Sequence, residues 1–585
     1  MSFVKRIARK ESPLELLALA LCVGVVVIVA FFLNGGQHGL YADDWVYKFF
    51  GSGLAQETWT PQQGGVTYRV LAVWLAPIVA SALPEYEISV RIGIIGLHLL
   101  NVILLAWLAM RLTDARWTAF VAGALFLIPL FAYESLLWFS AGIFYLIPLL
   151  LLLLGFHALL SCHSLKRQIY LPALALIAWS AMLLFIESGL LVPLLIAPMS
   201  WMVKRRGIAP ERRAWLGTVT VFYLIAGAYL WFALRGSAVI AVHGETAFDP
   251  LLIVTQRLPQ VAESVGGYFA EWLARGVFAD AFEFGVREWL ATSWFWILAI
   301  LLVIGCWISA REIAKSETRE LENREFPNSL ALCVLGIAWF VLALAPVLFI
   351  QGLGVSSRVM YFPSAGLALG AAGLLSWVVE KLGAWRIVGA RIILVGIIIF
   401  VFVNALAMAG LLRVYQLRYE QDMTQLDALR GALHELPEGR TWLMAHALDQ
   451  SPVRTLFGRA TKLNRLLYGL FDIPWAAEPA LWLAYRSERI EMIDKDDQGN
   501  VRISDIEFNT DHSVNALVFR GLTKQQTVPV TRLLAFTYRG EKLYWLDPLL
   551  LFENENASPL EIQLPLAQTI GGAPLREAKL GLEKE

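Results

Sequence analysis

Seven ionisable side chains of this sequence stand at the ends of apolar runs: Asp43, Asp44, Arg69, Arg91, Glu134, Glu187 and Arg358. An arginine binds a phosphate through two parallel hydrogen bonds. A carboxylate accepts the proton of an attacking hydroxyl. Together the two residue types suit a reaction between a charged lipid headgroup and a polar acceptor. A lipid-linked phosphosugar would use both, charge stabilisation on the leaving phosphate and a base for the nucleophile. Each residue also has a plainer reading. Asp43 or Asp44 can cap a short helix, Glu134 and Glu187 can snorkel or pair with arginine, and Arg91 and Arg358 can anchor helix ends at the interface. His98 and Asn101, one turn apart, can bond between helices.

The elements that position these residues follow from composition. The chain has 585 residues, of which 58% are hydrophobic and 16% charged, and its mean hydropathy is +0.60. Repeated apolar runs of about 20 residues, each able to cross a bilayer, indicate a polytopic α-helical membrane protein. Their continuity excludes an outer-membrane β-barrel. The net charge of zero implies no nucleic-acid partner. The four cysteines, Cys22, Cys162, Cys306 and Cys333, fall in or beside the runs and form neither a disulfide framework nor a CxxC site.

Lys5, Arg6, Arg9 and Lys10 precede the first run, residues 14–33, which reads as a retained signal-anchor with a cytoplasmic N-terminus. Its far end, with Asp43 and Asp44, is then outside. An outer loop, 34–87, contains a short interfacial helix from Asp44 to Phe50 and a second helix, 66–83, resting in the outer leaflet. Further spans are expected at 88–111, 117–133, 141–160, 169–186, 189–203, 215–234, 289–310, 329–350, 359–379 and 391–412, with an outer loop at 235–288. This makes eleven, and the basic clusters then fall on the cytoplasmic side. All seven ionisable residues meet the outer water–lipid boundary.

The expected domains are a transmembrane part, 1–412, and a small extracytoplasmic α+β part, 413–585. The second should open with an amphipathic helix, 416–436, ended by Pro437 and Gly439. Strand-like runs follow at Thr441–Ala445, Ala516–Phe519, Arg532–Tyr538 and Leu543–Leu546, and Asp496 to Asn500 reads as a hairpin turn. There is no P-loop, GxGxxG or HExxH in a fitting context, which argues against nucleotide-driven or zinc chemistry.

In this frame the chain resembles the C-type polytopic glycosyltransferases that use polyprenyl-phosphate sugars, and most of all the protein O-mannosyltransferase superfamily. The resemblance rests on Asp43-Asp44-Trp45 in the first outer loop, Tyr68-Arg69-Val70-Leu71 and Leu97-His98-Leu99-Leu100-Asn101. It continues with Glu134, Glu187-Ser188-Gly189, and Arg358, Tyr361, Pro363, Ser364 and Gly366. Val70 stands where that family has Pro, and Ile186 where it has a basic residue. The resemblance implies a GT-C-like fold in an inner, plasma membrane and inverting sugar transfer from a polyprenyl-phosphate donor to an acceptor protein or cell-envelope glycan. It implies Asp43 as general base, Asp44 as its supporting carboxylate, and Arg69, Arg91 and Arg358 as contacts of the donor phosphate. Glu134, Glu187, Tyr68 and Tyr361 would shape the site. Some members of the wider class need a divalent cation. No full ligand set is legible here, so no metal or other cofactor is expected. Two other readings are a transporter or flippase of lipid-linked saccharides, and a ligase or polymerase acting on them. A transporter should carry inverted repeats and ionisable groups at mid-membrane, and neither is evident.

Overall fold

The computed structural model describes residues 43–52, 69–82, 88–162, 170–204, 212–235, 253–274, 276–290, 328–349, 355–433, 441–445, 474–486, 489–493, 503–508, 514–520, 525–539, 542–546, 569–570 and 573–574. Among these, 69–76 and 88–412 form one compact unit; 43–52, 77–82 and the residues from 413 onward form a second. The first anchor run and the Asp496 turn lie outside the described residues, as does nearly all of the expected span 289–310.

Two short helices come first, α1 (Asp43–Gly51) and α2 (Val70–Ala82). The first unit continues with α3 (Ile88–Thr113), α4 (Arg116–Leu127), α5 (Glu134–Leu137), α6 (Phe139–Leu160), α7 (Tyr170–Leu183), α8 (Ile196–Lys204) and α9 (Arg212–Arg235). Then follow α10 (Leu258–Leu273), α11 (Val277–Leu290), α12 (Ser329–Phe349), α13 (Tyr361–Lys381) and α14 (Arg386–Ala432). Five stretches among the described residues are long and apolar enough to cross a membrane: Ile92–Thr113, Phe139–Leu160, Ser329–Val347, Arg358–Lys381 and Val388–Ala432. The chain is a helical membrane protein.

Several expected spans differ in detail, for local reasons. The run 117–133 is helical only to Leu127, and Pro129 then opens a single 3-10 turn, Leu130–Ala132. The run 189–203 is divided: Pro193 sits in a 3-10 turn, Val192–Leu195, before the nine-residue α8. The outer loop 235–288 contains α10 and most of α11, whose alternation of apolar and polar residues suits one buried face. The helix expected at 416–436 is not separate. It continues α14, 47 residues long, because no proline interrupts the chain between the apolar and polar portions.

The backbones of α12 and α13 pack closely. A Cβ added at Gly336 would meet the backbone of Gly370, and one at Gly373 would meet Cys333 N and, at 2.7 Å, Ser329 O. Gly366 likewise faces Phe340 N at 2.7 Å and Gly336 O at 2.8 Å. Small residues let two helix backbones touch where no side chain would fit, the usual device for helix pairs in lipid.

In the second unit α1 buries Trp45 and Phe49, four residues apart on one face. Trp45 stacks on Tyr419 of α14, centroids 6.5 Å apart, and Phe49 meets Trp482 of α15 (Pro474–Tyr485) at 4.9 Å. Lys48 donates to Ala80 O at 3.4 Å, and partial burial lowers the pKa of its amine. The strands are β1 (Thr441–Ala445), β2 (Ile490–Met492), β3 (Ile503–Phe508), β4 (Val514–Arg520), β5 (Gln525–Pro529), β6 (Leu533–Arg539), β7 (Lys542–Leu546), β8 (Thr569–Ile570) and β9 (Ala573–Pro574). A four-stranded sheet runs β2-β1-β6-β7, with β1 parallel to both β2 and β6 and the β6–β7 pair antiparallel. The parallel β1–β2 pair needs a crossover, and α15 lies within it. β3, β4 and β5 form a separate antiparallel sheet.

Candidate active site

In the first unit Glu134, Glu187 and Arg358 occupy breaks between helices. A backbone interruption at membrane depth is tolerated where protein surrounds it, and there its groups can turn inward. Ile186 is extended (φ −163°, ψ 148°), ending the chain segment after α7, and Glu187 opens the 3-10 turn Glu187–Gly189. Trp138, also extended (φ −94°, ψ 132°), separates the one-turn α5, which starts at Glu134, from α6. Arg358 begins the 3-10 turn that leads into α13.

These breaks bring two Arg–Glu combinations together. Arg69 grips Glu187 through both edges: Nη2 to Oε1 at 2.6 Å and Nε to Oε2 at 3.2 Å. Their segments are also tied by backbone, since Leu71 N donates to Leu184 O at 3.0 Å. Glu134 and Arg358 are joined differently. Glu134 Oε2 accepts the Arg358 backbone N–H at 3.2 Å, and the Glu134 N–H donates to Ser357 Oγ at 3.1 Å. Ser135 Oγ donates to Arg358 O at 3.4 Å. The Glu134 carboxylate thus holds the turn that carries Arg358. The two guanidiniums lie over aromatic faces, Arg358 over Trp138 just before α6 at 5.0 Å and Arg69 over Phe144 within α6 at 5.9 Å.

Two tyrosines that the sequence did not single out belong to this place. Tyr145 of α6 is buried within electrostatic reach of Arg69, Arg358, Glu187 and Glu134. Tyr268 of α10 donates to Phe131 O at 2.7 Å, and burial pushes its hydroxyl well above the ordinary phenol range. Phe269 and Trp272 of the same helix pack on Phe131, and Trp272 also meets Tyr133. Ser264 Oγ accepts the Val355 N–H at 3.1 Å, so α10 braces both the Glu134 and the Arg358 segments. An aromatic inside an apolar run has no sequence signature that separates it from core; for α10, the spacing of Ser264, Tyr268 and Trp272, four residues apart, was the legible signal.

Tyr361 is wholly buried, and its hydroxyl is engaged in the helix interior. His98 Nε2 faces Leu127 O at 2.9 Å and must donate to it, so Nδ1 accepts the Tyr361 hydrogen at 2.8 Å. Asn101 Nδ2 donates to Tyr361 Oη at 3.2 Å and to Leu146 O at 2.9 Å. His98 and Asn101 are therefore interhelical partners, and Tyr361 is their shared node.

Asp43 and Asp44 belong to the second unit. They open α1, with Asp43 its first residue and Asp44 buried. Arg91 lies in the first turn of α3, and Tyr68 is outside the described residues. Further along α14 the same unit buries an ion pair, Arg418 Nη2 to Asp422 Oδ1 at 3.0 Å. Among the described residues no three His, Cys, Asp or Glu side chains gather closely enough to hold a metal ion.

The first unit therefore defines a class: a helical membrane protein with an arginine–carboxylate cluster built in helix breaks. No protein-family model and no curated protein matches the chain. Among solved structures it is similar to the Archaeoglobus fulgidus oligosaccharyltransferase in complex with Zn and sulfate, at 15% identity and a TM-score of 0.39, over 82% of this chain and 63% of that one. It is also similar to ArnT from Cupriavidus metallidurans bound to undecaprenyl phosphate, at 14% identity and a TM-score of 0.38, over 88% of this chain and 98% of that one. A third is the archaeal oligosaccharyltransferase AglB from Archaeoglobus fulgidus in complex with an inhibitory peptide and a dolichol-phosphate, at 14% identity and a TM-score of 0.34, over 79% and 66%.

Proposed function

We propose that this protein is an inverting membrane glycosyltransferase that moves a sugar from a polyprenyl-phosphate donor to an acceptor hydroxyl on a protein or envelope glycan at the outer membrane face. The observation that carries the reading is that breaks between helices of the first unit hold the forked Arg69–Glu187 pair and the Glu134 carboxylate bonded to the Arg358 N–H. Two guanidiniums in a protein-lined break suit the phosphate of a lipid phosphate, whose two negative charges need fixed partners away from water. Glu187 holds one guanidinium in plane, and Glu134 holds the turn that presents the other. Arg91 is the third candidate cation.

In this reading the acceptor oxygen attacks the anomeric carbon opposite the phosphate as the carbon–phosphate oxygen bond breaks. The acceptor proton passes to Asp43, with Asp44 supporting it, and the lipid phosphate leaves against the arginines. Asp43 takes a proton here and holds no metal.

The test is a transfer assay in membranes with a panel of polyprenyl-phosphate sugars, comparing wild type with Asp43→Asn and Asp44→Asn. Full activity in both variants overturns the base assignment; loss in one names the base. A chelator arm of the same assay separates proton abstraction from metal binding. A reporter fused after Tyr415 tests sidedness, since a cytoplasmic signal there would reverse the orientation.

A further inference from the structure

The helix that carries the acidic pair, α1, is too short to hold itself. Its nine residues make about two and a half turns, and an isolated helix of that length is marginal in water. Its shape and position must therefore come from what it packs against.

That support lies within the second unit. Trp45 follows Asp44 directly in the chain, is 6% exposed, and stacks on Tyr419 of α14 at 6.5 Å. Phe49, one turn on and 1% exposed, tilts onto Trp482 of α15 at 4.9 Å. α14 and α15 are themselves joined, since Tyr485 Oη donates to Leu429 O at 3.3 Å. Lys48 donates to Ala80 O of α2, and Ser52 closes the far end of α1, its Oγ donating to Phe49 O at 2.6 Å. Trp45 and Phe49 share the face that meets the two rings. A shift or rotation of that face carries Asp43 and Asp44 with it, because they open the same helix.

We propose that Tyr419 and Trp482 are positioning residues for the transfer reaction: they seat α1, and through it the Asp43–Asp44 pair, for proton abstraction. The inference rests on the base assignment given above. It gives the polar end of α14 and the helix α15 a part in the reaction without contact with the donor. A base displaced by about 1 Å can lose on the order of a hundredfold in rate. Binding of the donor phosphate by the arginines does not depend on the seat of α1.

The experiment measures transfer in membranes, at saturating and limiting donor, for full-length Trp482→Ala, Trp482→Phe, Tyr419→Ala and Leu443→Ala. The donor is the polyprenyl-phosphate sugar that wild type uses. Leu443 is fully buried in β1, between β2 and β6, so its variant controls for a weakened second unit. Trp482→Ala and Tyr419→Ala should each lower kcat about tenfold or more with donor KM unchanged, and Trp482→Phe should restore most of the rate. Leu443→Ala should lower the thermal midpoint and keep kcat at the working temperature. A second arm needs no substrate. A nitroxide at Asp43→Cys, in a chain with its four native cysteines replaced, should gain mobility in Trp482→Ala and not in Leu443→Ala. Wild-type kcat in both alanine variants of the rings, or an unmoved nitroxide, overturns the positioning role. So does a raised donor KM at constant kcat, or an equal loss of kcat in Leu443→Ala. Full activity of both Asp43→Asn and Asp44→Asn overturns the base assignment underneath, and the proposal with it, whatever the nitroxide shows.

Discussion

Arg69 and Glu187 are 118 positions apart in sequence and meet through two hydrogen bonds, at 2.6 and 3.2 Å. Both side chains are mostly buried, 17% and 11% exposed. Arg69→Lys keeps the charge and loses the fork, since an ammonium cannot match a carboxylate at two points. We expect Arg69→Lys and Glu187→Gln each to lower the transfer rate at least about tenfold. A double-mutant cycle on thermal stability should return a coupling of about 1–2 kcal/mol. Additive single effects would show that the pair is not coupled.

The Glu134 segment and the Arg358 segment hold each other through reciprocal backbone bonds, Arg358 N–H to Glu134 Oε2 and Glu134 N–H to Ser357 Oγ. Ser357→Ala should cost about 1 kcal/mol of stability and a few-fold in transfer. Glu134→Gln keeps one acceptor oxygen in place, so it should be milder than Glu134→Ala. If the two Glu134 variants lose equal activity, the carboxylate charge and not the bond to Arg358 N–H is what matters.

Tyr361→Phe should lower stability by about 1–2 kcal/mol, because His98 Nδ1 and Asn101 both lose a partner in the helix interior. Thermal unfolding followed by thiol-reactive or intrinsic fluorescence measures it. Asn101→Ala should be partly compensated by Tyr361→Phe, as the hydroxyl and the amide serve one another. A Tyr361→Phe protein with wild-type stability and no transfer would move this residue from the helix interior to the chemistry.

The glycine seam of α12 and α13 gives a contrast within one residue type. Gly373→Val places atoms against the backbone at Cys333 and Ser329 and should cost about 3 kcal/mol or more, or prevent folding. Gly266 of α10 is exposed and has nothing within 4 Å of an added Cβ. Gly266→Ala should therefore be neutral or stabilise by about 0.5–1 kcal/mol through helix propensity. Expression and thermal midpoint in detergent read both.

The helices were legible where an apolar run is long and unbroken, as in Phe139–Leu160 and Ser329–Phe349. They were less so where a proline sits inside an apolar run: hydropathy continues past Pro129 and Pro193 although the helix does not. The continuity of α14 was missed for the opposite reason, because composition changes near Arg413 while backbone geometry does not. The charged members of the cluster stand out in apolar surroundings, so Arg69, Glu134, Glu187 and Arg358 could be named from sequence. Their pairing could not, since separations of 118 and 224 residues leave no local trace. Tyr145 was hidden, because a phenol within an apolar stretch looks like any other aromatic.

The close backbone contact between α12 and α13 works as a notch and key. Sliding α13 along α12 by one residue would drive ordinary side chains into the space that Gly336, Gly366 and Gly373 leave open. Arg358, one turn ahead of α13, is therefore fixed in depth by steric register, whereas Arg69 is fixed by its fork onto Glu187 and by the Leu71 N–Leu184 O backbone bond.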